Sequence, residues 1–288
     1  MTIATIIALS LRILINPLSN VFQKRMTQRI HPLAVNSATF LLLALCCLPA
    51  LFFISWGDLP FRFWLYTLLT GIFCAAGNGF LVWALETGDL SVLGPINAYK
   101  SVIGLVAGAV MLRELPNPWG LLGVALIVGG SYFVLGNGNA TLRGSFLRSR
   151  AIRYRFIALL FTAVEAVFIK QLILLSSVSV AFVVWVLSGA FFSWILMRLS
   201  GHTWFGACPR DRHIFWGLVA LAGCVGLMQV STNYVFAHME VGYALALFQL
   251  SAVVSVVFGY RFFREQEIPR KLFGSLLMAI GAAVIVLV

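Results

Sequence analysis

Apolar residues run along this chain in blocks of about twenty, separated by short polar or turn-forming breaks. Read between the breaks, the blocks cover 3–24, 33–55, 63–85, 91–111, 118–136, 156–175, 179–198, 214–237, 242–260 and 271–288. Each approaches the roughly 20 residues that a helix needs to cross the hydrocarbon of a bilayer. The breaks carry turn chemistry, as in His31-Pro32, Gly57-Asp58-Leu59-Pro60 and Arg210-Asp211. The longest, 137–155, is rich in Gly, Asn, Ser and Arg and divides the chain near its middle.

The two sides of that divide resemble each other. Val21-Phe22-Gln23-Lys24 in the first block matches Val167-Phe168-Ile169-Lys170 in the sixth. A shift of 151 positions aligns Arg113-Glu114 with Arg264-Glu265, Pro118 with Pro269, Gly123 with Gly274 and Gly130 with Gly281. The chain thus divides into a first repeat, 1–136, a basic connection, 137–155, and a second repeat, 156–288. Each repeat holds five blocks, an odd number, so insertion must invert the second relative to the first. The predicted fold is an all-α integral membrane protein of ten transmembrane helices in two inverted five-helix repeats. Inverted repeats recur in transporters, which bind their solute near the midplane between the repeats.

Composition fixes the solvent. Charged residues are 10% of the 288 positions, against roughly 25% in a water-soluble domain, and mean hydropathy is +0.99. Such a chain cannot cover its surface in water, whereas lipid solvates apolar side chains and helices satisfy their own backbone. The net charge of +11 does not point to nucleic acid, because the basic residues lie in short connections. Fifteen of the 20 Lys and Arg follow blocks 1, 5, 7 and 9, and only Arg62 and Arg113 lie on the opposite side. The positive-inside rule then puts both termini outside and the 137–155 connection in the cytoplasm; the expected location is the cell (inner) membrane. The N-terminal block, interrupted by Arg12 and Asn16-Pro17, does not read as a cleaved signal. The five cysteines show no metal or redox spacing, and no cofactor is expected.

In its organisation and its loose end-of-repeat motifs, the chain resembles the drug/metabolite transporter superfamily, specifically the ten-helix EamA-type permeases. The residues that carry the resemblance close each half. Ala84-Leu85 is followed by a polar turn, a block ending in Arg113-Glu114, Pro118, and glycines 120, 123, 129 and 130; Phe236-Ala237 is followed by a block ending in Arg264-Glu265, Pro269, Gly274 and Gly281. The family commonly has a proline midway along its fourth and ninth helices, where this chain has Ser101 and Ala252. Its own proline is Pro95, which moves the expected backbone opening toward the membrane surface. The resemblance implies transport of a small molecule and leaves the cargo open, since the family's solutes range from amino acids and nucleotide sugars to drugs.

Candidate chemistry lies where lipid penalises polarity. A charge near the bilayer centre costs roughly 2.5–3.5 kcal/mol on insertion scales, so Arg12, Lys100 and Glu165, all near mid-block, should face a cavity or a partner. Arg12, Asn16, Ser19 and Gln23 recur on one helical face beside Pro17, a kink site, and read as the wall of a water-filled cavity. Alternatively, Arg12 pairs with Glu165 as a structural bridge. Asn97 and Lys100 suit an anionic group. Glu165 is the candidate for proton coupling, a substrate amine or an ion pair. Asn78 and Gln229 are repeat equivalents; with Thr232, Asn233 and Gln249 they either line the site or form interhelical amide bonds. Lys24 and Lys170 fall at opposite rims, and Glu114 and Glu265 read as helix-turn determinants.

The leading function is a secondary transporter moving an amino-acid-like zwitterion or organic anion by alternating access, with export an open direction and a proton or counter-substrate the candidate coupling partner. A multidrug exporter of the same fold is the alternative. An intramembrane enzyme would need an HExxH, a GxSxG or another cluster, and none is present. A lipid-handling subunit without solute transport is the remaining class.

Overall fold

The computed structural model describes residues 2–103, 118–135, 149–202 and 211–287, and every regular element among them is helical. In chain order these are α1 (Ile3–Thr27), α2 (Pro32–Cys47), α3 (Phe61–Thr87), α4 (Leu90–Leu93), α5 (Pro118–Leu135), α6 (Arg150–Leu175), α7 (Val178–Leu199), α8 (Arg212–His238), α9 (Val241–Phe248), α10 (Ser251–Phe263) and α11 (Ile268–Leu287). Nine stretches among the described residues are long and apolar enough to cross a membrane; α2 with its extension to Phe53, and α9 with α10, each form one. The expected span 91–111 is helical in pieces as far as residue 103, and its remainder, with Glu114, lies outside the described residues. So does most of the 137–155 connection.

Helices overrun their apolar blocks at the polar ends. The sixth begins at Arg150 rather than 156, and the first continues to Thr27. The apolar block measures hydrocarbon, whereas the backbone helix continues into the headgroup layer, where Lys and Arg stems extend. Polar residues then close the starts. Thr2, Ser149, Ser177 and Asp211 accept from N–H groups of the first turns, and His31 Nδ1 accepts from Leu33 N ahead of Pro32.

Two spans are broken. In the fourth, α4 stops at Gly94-Pro95 and gives way to a 3-10 turn over Pro95–Ala98. Pro95 has no N–H, and Asn97 N bonds Gly94 O at 3.1 Å, so the helix no longer uses the Leu93 carbonyl. The opening expected near Pro95 is there. The ninth span breaks without a proline, at Gln249–Leu250, through tightened bonds to Ala246 O and Leu247 O.

The halves interlock as an inverted repeat requires. α1 packs on α8 and α3 on α6, two contacts that exchange when the first and second repeats are swapped. α2 packs on α7, α4 of the fourth span on α10 of the ninth, and α5 on α11, each a contact between equivalent spans of the two repeats. The last is the closest. A Cβ at Gly123 would stand 2.7 Å from Gly281 O, and one at Gly130 would stand 2.7 Å from Gly274 O. Because 123 meets 281 while 130 meets 274, the two helices run antiparallel, and glycines aligned by the 151-residue shift build both crossings.

One buried cluster ties the broken fourth span to the second half. Glu265, between α10 and α11, accepts from Leu90 N and Ser91 N at 2.8 Å each and from Lys24 Nζ at 3.0 Å. Asp89 precedes α4 but makes no side-chain cap bond; Glu265 caps that helix from 175 residues away. Lys271 Nζ adds a bond to Ser91 Oγ at 3.0 Å and lies 3.7 Å from Asp89. Gly259 makes room, since a Cβ there would come within 3.0 Å of the Glu265 carboxyl carbon. Glu265 is therefore more than the helix-turn determinant the sequence suggests. Burial alone would raise its carboxyl pKa, but the hydrogen bonds from Ser91 and the Lys24 ammonium outweigh this and hold it below the ordinary carboxylate range.

Glu265→Ala leaves Lys24 and two α4 donors buried without a partner, and should cost about 3–5 kcal/mol. Because the folded pKa of Glu265 is depressed, its contribution is present above the unfolded carboxyl pKa and lost as pH falls through the folded value. Thermal unfolding in detergent should therefore show an acid-side loss of stability that is diminished in Glu265→Gln; identical pH profiles would refute the assignment. In the same assay Gly130→Ala should lower the midpoint, because its Cβ meets backbone. Gly129→Ala, with nothing within 4 Å, should leave it unchanged or raise it.

Candidate functional site

A cavity of about 110 Å³ opens inside the bundle, and the broken fourth span forms part of its wall. From α1 it receives Arg12, Asn16 and Asn20; from α3, Asn78 and Leu81; from the fourth span, Asn97 and Lys100. α6 supplies Arg155, Thr162, Glu165, Ala166 and Ile169, and α7 supplies Trp185. Met228, Gln229, Thr232 and Phe236 of α8, with Leu245 and Phe248 of α9, complete the lining.

Arg12 Nε donates to Thr232 Oγ1 at 2.7 Å, and its guanidinium lies 4.8 Å from the centre of the Phe248 ring. These contacts orient the group but leave Arg12 NH1 buried without a hydrogen-bond partner. Arg155 Nε donates to Leu93 O at 2.8 Å, the carbonyl that the α4 break releases. Glu165 accepts from Trp185 Nε1 at 2.7 Å, so a neutral donor holds it. Lys100 makes no side-chain hydrogen bond among the described residues and lies within electrostatic reach of Arg155, Glu165 and Arg12. The ion pairs among the described residues lie elsewhere: Lys24–Glu265, Arg29–Asp211, Arg270–Glu267 and Lys271–Asp89. The Arg12–Glu165 bridge weighed from the sequence is not formed.

Of the ten residues singled out for the site, Arg12, Asn16, Asn78, Asn97, Lys100, Glu165 and Gln229 line one cavity. Ser19, Asn233 and Gln249 are buried outside the lining, and each bonds a lining residue. Ser19 Oγ donates to Asn16 O at 2.8 Å, Gln229 Nε2 donates to Asn233 Oδ1 at 2.9 Å, and Gln249 Nε2 donates to Leu245 O at 2.9 Å. Lys24 and Lys170 do not line the cavity. Lys24 is held by Glu265, and Lys170 Nζ donates to the carbonyls of Phe236 and Met239. Tyr234 stacks on His238 with ring centroids 4.3 Å apart, away from the lining.

Sequence reasoning missed Asn20, Arg155 and Thr162. Asn20 follows Arg12 and Asn16 at steps of four, a ridge that turns Ser19 and Gln23 aside. Arg155 was hidden in a basic run counted with the cytoplasmic connection, but α6 begins before it and buries it. The repeat itself gives the signal for the others. With the 146-residue shift that relates Lys24 to Lys170, Asn16 maps onto Thr162 and Asn20 onto Ala166. With the 151-residue shift, Asn78 maps onto Gln229, Leu81 onto Thr232 and Asn97 onto Phe248. All ten residues line the cavity, which therefore straddles the axis relating the halves.

Among curated proteins none matches the chain. A solved structure, described only as a crystal structure of a protein, is similar over 99% of this chain and 96% of its own, with TM-score 0.68 at 16% identity. That likeness shows the fold alone. A family model described as the EamA-like transporter family matches residues 4–136 and again 150–287, one match to each repeat. This chain, a multi-pass membrane protein with a polar cavity between inverted halves, belongs to the EamA-like transporter family.

Proposed function

We propose that the protein is a secondary transporter that carries a small amino-acid-like zwitterion or organic anion through this cavity by alternating access between its halves. The observation that carries this reading is the cavity at the repeat interface, where Arg12, Lys100, Arg155 and Glu165 meet without pairing to one another. Uncompensated charge at membrane depth is costly, and a polar solute supplies the missing partners. Asn16, Asn78, Asn97 and Gln229 offer it amide donors and acceptors, while Ser19, Asn233 and Gln249 steady the wall. The cavity volume lies below the 300–1,000 Å³ of sites for drug-sized ligands, and three cations repel a cationic drug. Both favour the metabolite over the multidrug reading. The Lys and Arg distribution supports termini outside and the 137–155 connection in the cytoplasm. No chemical transformation is part of this function.

Lys100→Ala should reduce solute flux in proteoliposomes more than tenfold while leaving the thermal midpoint within a few degrees of the parent. Normal flux from a well-folded variant removes Lys100 from the site. If Glu165 couples a proton, flux should depend on pH in the parent and lose that dependence in Glu165→Gln. Rates that respond to neither change eliminate the coupling role.

A further inference from the structure

The charges in the cavity do not balance, and the imbalance specifies the solute more narrowly. Among the described residues, three cations, Arg12, Lys100 and Arg155, face one carboxylate, Glu165, and no other Asp, Glu, Lys, Arg or His lines the space. Glu165 already accepts from Trp185 Nε1. The described wall therefore carries a formal net charge of +2, counted as three positive groups minus one negative.

Resting on the transport reading above, we infer that the solute is a small organic dianion with two anionic groups on a short carbon frame. A zwitterion entering this cavity leaves both excess charges in place, and a monoanion leaves one. A dianion cancels both where the surrounding apolar helices make residual charge expensive.

The donors fit two anionic groups. Each arginine is fixed through Nε, Arg12 on Thr232 Oγ1 and Arg155 on Leu93 O, which leaves the terminal nitrogens for a carboxylate or phosphate. Arg12 NH1 is buried and unpartnered. The helices that carry them, α1 and α6, are repeat equivalents and run in opposite directions. Both arginines precede the middle of their helices, so the guanidinium groups enter from opposite sides of the midplane. Lys100 adds a third cation to the wall, without a side-chain hydrogen bond among the described residues. A frame of a few carbons matches the roughly 110 Å³ available.

The repeated helix packing does not impose these charges. Under the repeat shifts, Arg12 corresponds to Ala158, Arg155 to Leu9, Lys100 to Ser251 and Glu165 to Ser19. The same helical positions are filled by neutral residues in the other half; of the three cations, Arg155 also serves the fold through Leu93 O, whereas Arg12 and Lys100 have no such backbone role among the described residues.

Four compounds that share a four-carbon frame test the charge directly: succinate, butyrate, 4-aminobutyrate and putrescine. Glycerol 3-phosphate supplies a phosphate dianion, so the series separates dicarboxylate from phosphate ester. Thermal stabilisation of the purified full-length protein at low ionic strength, followed by flux in proteoliposomes, should rank at least one dianion tenfold or more above butyrate. The zwitterion and the diamine should be weaker still. Arg155→Gln and Arg12→Gln should each lower the ratio of dianion to butyrate affinity at least fivefold; an unchanged ratio in both folded variants overturns the inference. So does butyrate, 4-aminobutyrate or putrescine binding as tightly as the better-bound dianion, or neither dianion binding. Flux of a zwitterion or cation alone leaves the transporter reading standing and removes the dianion; absence of flux across a broad metabolite panel counts against both.

Discussion

In hydrocarbon a helix end cannot be hydrated, so a span broken at Gly94-Pro95 persists only if other parts of the chain satisfy the hydrogen-bonding groups that the break exposes. Glu265 closes the start of the span, taking the first-turn donors Leu90 N and Ser91 N on its two oxygens while Lys24 neutralises it. Arg155 does so at the end, donating to Leu93 O. Both come from the second half of the chain, so the fourth span of the first repeat is completed by the other repeat. This dependence puts Asn97 and Lys100 at the cavity wall instead of inside a regular helix, and places Arg155 there with them.

Shape and charge in the cavity follow different rules. Its outline follows the repeat, since five pairs of equivalent positions line it, among them Asn78 with Gln229 and Asn16 with Thr162. All four of its charges lack a charged equivalent. The repeat accounts for a pocket on the axis, and single side chains that differ between the halves account for its chemistry. Arg155 joins the two, because it lines the cavity and also bonds the Leu93 carbonyl at the α4 break.

The spans were legible because a bilayer imposes one length and one solvent on every helix, and a sequence records both as apolar blocks. The inversion was legible from an odd block count and from glycines 123, 130, 274 and 281. The seven lining residues found in advance are polar groups that apolar surroundings make conspicuous. Arg155 was not conspicuous, because a buried arginine next to a basic connection looks like its neighbours. Ser19 and Asn20 are adjacent and equally polar, and only the rotation of α1 decides which one reaches the space. Glu265 misled for a related reason: a turn residue in sequence became the cap of a helix distant along the chain, a contact that no local pattern encodes.

The backbone crossing of α5 and α11 has a mechanical meaning. Gly123 against Gly281 and Gly130 against Gly274 bring the backbones of two antiparallel helices together, with Ile285, Met278 and Val134 packed beside the contacts, at a point through which the axis relating the halves must pass. Rotation about an axis displaces least what lies on it. On the transport reading proposed above, this crossing of equivalent helices would serve as a bearing, shifting least while the cavity-lining helices swing.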